Sequence, residues 1–255
     1  MILARLAAAI RAQNWFAVAL EFVIVIAGVV IGFQITAWNA ERTTSTQELA
    51  HLRALRADLV QSIASAEGYI GFSELSIESV MALLRAADPE TESMDVASFD
   101  SHILNGVFRY FSLDANMSTL EELQSSGELS ALRDADTRLA LVQVLFAMED
   151  MRSTEEDFIH ISRTFSDPWL VQTYDLRRIQ RFDPAARSLP LIQGVEPVRD
   201  QDPRILIHDP VLQNLLSLRS IVQANVLRTA QRLLASYQVA LERIDDRINT
   251  LEGSP

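Results

Sequence analysis

Residues 17–37 have the sequence AVALEFVIVIAGVVIGFQITA, a run of 21 residues with a single charged side chain, Glu21. A helix of this length spans about 30 Å, the thickness of the hydrocarbon core of a bilayer. Twelve of the residues are Val, Ile, Leu or Phe, and together they favour insertion by about 4 to 7 kcal/mol. That gain exceeds the cost of Glu21, about 2.5 to 3.5 kcal/mol even at the membrane centre. The run therefore predicts a transmembrane helix over residues 17–37.

The two alternatives to a membrane anchor are a cleaved secretory signal and a buried helix of a soluble protein. A cleaved secretory signal has a shorter apolar region, about 7 to 15 residues, and a small-x-small cleavage site. The best candidate site here ends at Ala37 and has a bulky Ile at its first position. A buried helix of a soluble protein is disfavoured by Glu21 and by the flanking Trp15 and Trp38, which favour membrane interfaces. No second run of this kind follows, so we expect a single pass.

The basic residues around the span bear on its orientation. Two arginines, Arg5 and Arg11, precede the span, and no acidic residue lies among them. Three arginines follow the span and are interspersed with acidic residues: Arg42, Arg53 and Arg56. The positive-inside rule counts basic residues only, so the tally is nearly even, but a long C-terminal domain translocates whatever its charge. We therefore expect a cytoplasmic N-terminus, a short amphipathic segment over residues 1–16, and the large domain across the membrane.

The composition limits what the remaining residues 38–255 can be. All 22 basic residues are Arg, and the 34 acidic residues give a formal net charge of −12. A nucleic-acid binder needs a basic face, and the densest basic group, Arg177, Arg178 and Arg181, is equally well explained as a solvated helix end. The absence of Cys is compatible with any redox compartment. Only eight glycines and the lack of long β-rich runs favour helices.

A heptad-like pattern follows the span. Eleven positions step alternately by three and four residues, which is typical of a helix that packs along one stripe: Leu49, Leu52, Arg56, Leu59, Ile63, Ala66, Ile70, Ser73, Ile77, Val80 and Leu84. The helix should end at Asp88-Pro89, because a residue before proline disfavours helical backbone. We expect it to continue from the membrane span as a stalk.

Shorter helices are predicted next. One covers about 98–111 and buries Ile103, Leu104, Val107, Phe108 and Phe111. Ser118-Thr119-Leu120-Glu121 has the form of a capping box, in which Ser118 caps a short helix that ends at Ser125-Ser126-Gly127. Another helix runs from about Asp136 to Asp167-Pro168. Its predicted buried face is Leu141, Leu145, Met148, Met151, Phe158 and Phe165.

Residues 167–209 form a proline-rich segment. Six of the eight prolines lie between Pro168 and Pro210, so regular helix is excluded for most of it. We expect an extended segment with short helical turns that packs on the bundle through Trp169, Tyr174, Phe182, Leu189, Leu191, Ile192, Ile205 and Ile207.

The last helix is predicted from about Pro210 to Leu251. Its apolar stripe repeats a 4-4-3 step, which is typical of a straight or slightly right-handed packing line: Val222, Val226, Ala230, Leu233, Tyr237, Leu241, Ile244 and Ile248. The predicted fold class is all-α, with an N-terminal transmembrane helix, a bundle of long helices, and the proline-rich insertion before the last helix.

Two motifs carry a family resemblance. EFVIVIAGVVIGFQ at 21–34, followed by WNAER at 38–42, resembles the N-terminal signature of a bacterial family, domain-of-unknown-function family 6090. TLEELQSSGEL at 119–129 is similar to the second recurring motif of that family. The resemblance implies a single-pass membrane protein with a helical domain. Together with the orientation argued above, we expect the bacterial inner membrane as its location, with the helical domain in the periplasm. The resemblance implies no activity and no catalytic residues.

Chemical motifs are sparse. The four histidines, at 51, 102, 160 and 208, contain no pair at the helical spacing that aims two ligands at one metal. Glu156 and Asp157 with His160 come nearest to such a motif, but a solvated acidic helix face explains them better. There is no Cys and no nucleophile, phosphate-loop or zinc-protease motif. We predict no enzymatic activity, no cofactor and no metal site.

The span itself contains the sharper candidates. Gly28 and Gly32 are four residues apart, so they lie on one face, where a second helix could approach closely. Glu21 lies on the same face and is either an interfacial residue or the partner of a buried group in a complex. Trp15 and Trp38 are predicted to lie at the two membrane interfaces.

The predicted function is that of a membrane-anchored scaffold or interaction module of the bacterial cell envelope. Its predicted partners are the bilayer and either a second copy or another membrane protein, and a small-molecule ligand is left open. The alternative is a ligand-sensing bundle outside the cytoplasm. With about 16 residues before the span, such a sensor would need a partner to supply its output.

Overall fold

The computed structural model describes residues 15–91, 93–180 and 202–253. Every regular element in these ranges is helical, which confirms the all-α fold class. The chain divides into two compact units, the first ending at His51 and the second beginning at Leu52.

Seven α-helices and four short π or 3-10 turns follow one another along the described chain. The α-helices are α1 (Trp15–Ala86), α2 (Val96–Ile103), α3 (Ser118–Ser126), α4 (Ala135–Ile161), α5 (Asp167–Thr173), α6 (Arg177–Gln180) and α7 (Pro210–Glu252). Leu104–Phe108 and Ser162–Ser166 form single π-helical turns, and Glu128–Ala131 and Pro203–His208 form 3-10 turns.

Helix α1 is 72 residues long and contains both the apolar run and the heptad pattern. It ends at Ala86, two residues before the expected stop at Asp88-Pro89. The agreement has a local cause, because the residue before proline avoids helical backbone.

The buried stripe of α1 in the second unit differs from the predicted one. It alternates by three and four residues as expected, but it consists of Leu52, Leu55, Leu59, Ser62, Ala66, Tyr69, Ser73, Ser76, Val80 and Leu83. Every second predicted position is therefore displaced by one residue, or about 100° around the helix. Arg56, Ile63, Ile70 and Ile77 are exposed or half-buried.

Small side chains line part of this buried surface of α1. A Cβ placed on Gly106 would lie 3.1 Å from the Val80 side chain and 3.2 Å from Cβ of Ser79. The chain after α2 therefore approaches α1 most closely where serine leaves room for it. Close packing favours a small buried residue over a larger apolar one at such a contact.

Helix α7 buries a stripe that begins earlier than predicted. Its fully buried positions alternate by four and three residues from Leu212 to Ile244 and include Arg219, Gln223 and Ala240. Six of the eight predicted positions are buried, whereas Val222 and Leu241 are only half-buried and are replaced by their neighbours Gln223 and Ala240. A seven-residue repeat is typical of a left-handed packing line.

Ion pairs and hydrogen bonds set the direction of the helices within the second unit. Arg53 and Arg56 of α1 bind Glu252 and Asp245 near the end of α7, at 2.6 and 2.7 Å. The start of α1 in this unit therefore lies beside the end of α7, and the two helices are antiparallel. Helix α4 is antiparallel to α7 as well: Asp150 pairs with Arg232 at 3.3 Å, and Ser162 just beyond α4 bonds to Arg219.

The short helix α3 is capped differently from the prediction. Its cap position is Met117, with no side-chain cap, so the capping box at Ser118 and Glu121 is wrong. The carboxylate of Asp58 on α1 accepts the Thr119 N–H at 2.9 Å instead. Gly127 ends the helix with a φ of 78°, the left-handed conformation that glycine adopts without strain.

Pro168 does not end the chain's helical course. The π-helical turn Ser162–Ser166 leads directly into α5, where Pro168 occupies the first turn. Proline is tolerated there because the N–H it lacks has no acceptor within the helix. The predicted stop at Asp167-Pro168 is therefore wrong.

A hydrophobic core cluster joins the described parts of the proline-rich segment to α1, α2 and α7. It contains Trp169, Tyr174 and Ile207 together with Val80, Phe99, Ile103, Leu212 and Leu216. Burial of Trp169, Tyr174 and Ile207 agrees with the prediction, whereas Ile205 is 59% exposed. Phe182, Leu189, Leu191 and Ile192 lie outside the described residues.

Two predicted apolar faces are only partly buried. Ile103, Leu104 and Val107 are buried, but Phe108 and Phe111 are exposed, because the π-helical turn over 104–108 ends this helix before Arg109. On α4, Leu141, Met151 and Phe158 are buried, whereas Phe165 lies in the next π-helical turn and is exposed.

Candidate functional site

The apolar run lies on the exposed surface of the first unit. Among the described residues, one helix is long and apolar enough to span a membrane. Its most apolar stretch has a mean hydropathy of 2.2 and none of it is buried. This exposure contradicts the interpretation of residues 17–37 as the core helix of a soluble protein, since such a helix is mostly buried.

The predicted association residues share an exposed face of α1. A Cβ placed on Gly28 or Gly32 would meet no atom within 4 Å, and Glu21 is exposed on the same side of the helix. The Thr36 hydroxyl donates to the Gly32 carbonyl at 2.9 Å. The two glycines therefore leave a shallow, open strip of backbone.

The predicted interface residue Trp38 follows this strip and is 64% exposed. The guanidinium of Arg42 lies 5.8 Å from the centre of its ring, which places a cation and an indole together on one turn. Trp15 begins α1, and its side chain lies outside the described part of the structure.

The most unusual polar group of the second unit is Arg219, which is 2% exposed in the N-terminal quarter of α7. Its guanidinium donates from Nε to the Gly106 carbonyl at 3.1 Å and from Nη2 to the Arg109 carbonyl at 3.0 Å. Nη1 donates to the Ser162 hydroxyl, and the Phe158 ring lies 4.4 Å away beneath the cation.

The acceptors of Arg219 lie in or next to two π-helical turns. In each turn the backbone N–H bonds to the carbonyl five residues earlier, Arg109 to Leu104 and Asp167 to Ser162. Such turns leave backbone carbonyls without the usual helical partner, and they occur often at functional sites. Burial lowers the pKa of Arg219 to about 10, because desolvation disfavours the charged form.

Arg219 was missed by the sequence analysis, although a signal was present. It lies three residues after Leu216 and four before Gln223, which continues the alternating stripe of α7. The periodicity of apolar residues alone does not identify such a position. An arginine within an apolar stripe indicates a buried cation that needs several acceptors.

A second buried polar cluster overturns one prediction about the basic residues. Asp100 of α2 accepts hydrogen bonds from the Tyr174 hydroxyl and, at 3.1 Å, from Nε of Arg178. Burial raises the pKa of Tyr174 well above its usual value, and the bond to Asp100 adds to this shift. Arg178 is therefore a half-buried structural residue that is paired with a buried acid, and not part of a solvated helix end.

The other two arginines of the predicted basic group are Arg177 and Arg181. Arg177 pairs with Asp175 at 2.8 Å and is itself partly exposed. Arg181 lies outside the described residues. The arrangement ties α6 to α2 through Arg178 and Asp100.

The histidine motif does not converge on a site in the structure. His160 and Glu156 are exposed on α4, and no group of three or more potential metal ligands occurs in the part of the chain that the structure describes. His102 is half-buried, and desolvation lowers its pKa. The expected absence of a metal or cofactor remains a prediction.

Comparison of the chain with protein-family models, with curated proteins and with solved structures returned no match.

Proposed function

We propose that this protein is a single-pass membrane protein whose helical domain acts as a scaffold or interaction module, anchored by residues 17–37. The observation that supports this proposal best is the complete exposure of the apolar run on α1. Apolar surface of this extent is unfavourable in water and favourable in hydrocarbon. A lipid environment satisfies the run without any further protein contact.

The open strip at Gly28 and Gly32 supports association within the membrane. Small residues four apart let two helix backbones come into contact, and close packing drives such pairing where the hydrophobic effect is absent. Glu21, on the same face, would lie near the interface of such a pair. The partner is either a second copy of this chain or another membrane protein.

The finer placement rests on sequence. The acid-free, arginine-bearing residues 1–16 favour a cytoplasmic N-terminus, with the second unit in the periplasm. The resemblance of residues 21–42 to domain-of-unknown-function family 6090 supports the bacterial inner membrane as the location.

Two measurements test this proposal. The full chain should remain in the membrane pellet after alkaline carbonate extraction, whereas a deletion of residues 17–37 should release it. A reporter that is active only in the periplasm, fused after residue 255, should be active. Activity of a cytoplasm-only reporter at the same position would overturn the orientation, and release of the intact chain by carbonate would overturn the anchor.

A further inference from the structure

The second unit contains a cleft of about 590 Å³. Its walls come from α3, α4, α7 and the chain leading into α3. Most of the wall is apolar and flexible: Leu113, Leu145, Met148, Met151 and Leu233. Phe146 stands at the rim and is 72% exposed. Clefts of this size, with apolar walls and a few polar groups, are the usual form of a small-molecule site.

One carboxylate faces this cleft from a buried position. Glu155 is 9% exposed and lines the cleft. It accepts the Leu113 N–H at 2.6 Å, and burial together with the neighbouring Glu155 carboxylate raises the pKa of Tyr69. A carboxylate can accept about four hydrogen bonds, so Glu155 keeps the capacity to bind a further donor.

Glu155 has no cationic partner among the described residues. The nearest candidate, Arg152, binds both carboxylate oxygens of Glu149 at 2.7 Å. Desolvation raises the pKa of Glu155, as expected for a buried acid that lacks an opposite charge. The three acids that line the cleft, Glu121, Glu149 and Glu155, face a single arginine, so its charge is negative.

A structural role alone does not account for a carboxylate at this position. A glutamine would offer the same kind of oxygen to Leu113 without the cost of burying a charge. A buried acid with a shifted pKa beside a cleft is typical of a binding or reactive group. Methionine walls adapt to ligands of different shapes.

We propose that this cleft binds an organic cation with an apolar body, whose ammonium group donates to Glu155 and whose apolar part packs against Met148, Met151 and Phe146. Arylalkylamines are the matching chemical class. Their ammonium group supplies the missing counter-charge, and an aromatic ring fits the apolar wall. This proposal is independent of the membrane association proposed above, because every residue of the cleft belongs to the second unit.

The test compares three probes of similar size that differ in charge: 2-phenylethylammonium, 2-phenylethanol and 3-phenylpropionate. Each is titrated calorimetrically at pH 7.5 into the full chain in phosphatidylcholine nanodiscs, with empty nanodiscs as the blank. We expect saturable binding of the ammonium probe at one site. The neutral and anionic probes should bind at least about tenfold more weakly, because they cannot satisfy Glu155.

Three variants locate the site, and the first two form a matched pair. Glu155→Gln keeps an acceptor for Leu113 and should weaken binding of 2-phenylethylammonium at least about tenfold. Glu156→Gln removes the same charge from the next, exposed residue and should bind like the wild type. Phe146→Ala lies on the surface, so it should fold normally, and it should weaken binding several-fold by removing the rim contact.

The pH dependence gives a check that needs no variant. Since the probe stays protonated between pH 7.5 and pH 5, its binding to the wild type should weaken only as Glu155 takes up a proton. Three results would overturn the proposal: no saturable binding to the wild type, equal affinity in the Glu155→Gln and Glu156→Gln variants, or equal affinity for the three probes. Unchanged affinity in Phe146→Ala would overturn the assignment to this cleft.

Discussion

The guanidinium of Arg219 donates to the hydroxyl of Ser162, the first residue of a π-helical turn. The same guanidinium reaches the carbonyls of Gly106 and Arg109 at the other π-helical turn. One side chain of α7 therefore bonds to residues at both described π-helical turns of the second unit. Among the described residues no acid forms a direct ion pair with this cation, so backbone and hydroxyl dipoles, the Phe158 ring and the nearby charge of Asp167 stabilise it.

Replacement of Arg219 by Met should destabilise the protein. The substitution keeps the volume but leaves the Gly106 and Arg109 carbonyls buried without their donor, at a cost of about 2 to 4 kcal/mol in the free energy of unfolding. Urea unfolding of the full chain in mild detergent, followed by circular dichroism, measures the change. Arg228→Met, at an exposed position of the same helix, is the control, and equal midpoints for the two variants would contradict the prediction.

Tyr174→Phe should cost about 1 to 2 kcal/mol, because Asp100 stays buried and loses one of its donors. The ring keeps its apolar contacts, so the loss reports the hydroxyl alone. Thermal unfolding of the variant beside the wild type measures it. A variant as stable as the wild type would mean that Arg178 alone satisfies Asp100.

Glu155→Gln should change the pH dependence of stability. The folded-state pKa of Glu155 is raised above its usual 4.5, so its favourable contribution is fully present below pH 4.5 and is lost as the pH rises through the folded pKa. Glutamine resembles the neutral form. At pH 7.5 the variant should therefore unfold at a higher urea concentration than the wild type, and the difference between the two midpoints should vanish near pH 4. A constant difference across this pH range would contradict the raised pKa of Glu155.

Leu59→Asp should destabilise the second unit by about 3 kcal/mol or more, since Leu59 is fully buried and an unpaired charge there has no compensation. Val60 is the neighbouring residue and is 46% exposed. Val60→Asp should therefore unfold near the wild-type midpoint in the same urea titration. If both variants lose stability equally, the buried stripe of α1 is misplaced.

Ile at both Gly28 and Gly32 should abolish helix association in the membrane. The larger side chains fit the monomer, because both glycines face open space, but they hold two backbones apart. A membrane-association reporter that contains residues 14–42 measures the effect, with Val29→Ile/Val30→Ile as the off-face control. Insertion should survive in both variants, and equal association in all three proteins would make the glycines incidental.

The strongest local signals in the sequence predicted the course of the helices well. Asp88-Pro89 and Gly127 each impose a backbone conformation by themselves, so the ends of α1 and α3 followed from one or two residues. The length of α7 followed from Pro210, which is pre-set for a first turn, and from the long amphipathic pattern after it.

The errors have one physical origin, which is close packing between elements far apart in sequence. The stripe of α1 includes buried serines, and Gly106 lies close to Val80 and Ser79; a periodic apolar pattern contains no information about that contact. Asp58 caps α3 from another helix, which displaces the local capping box. Glu155 was missed for the same reason, since its hydrogen-bond partner Leu113 comes from a distant segment.

Each π-helical turn contains one residue more than a regular helical turn needs, since its backbone bond closes over five residues. Deleting a single residue from Leu104–Phe108 would let an ordinary turn form there and would rotate the chain beyond it by about 100°. The Gly106 and Arg109 carbonyls would then no longer converge on Arg219. Chain length at these two turns and the identity of residue 219 are therefore bound to change together: a homologous protein one residue shorter at either turn should have an uncharged side chain in place of Arg219.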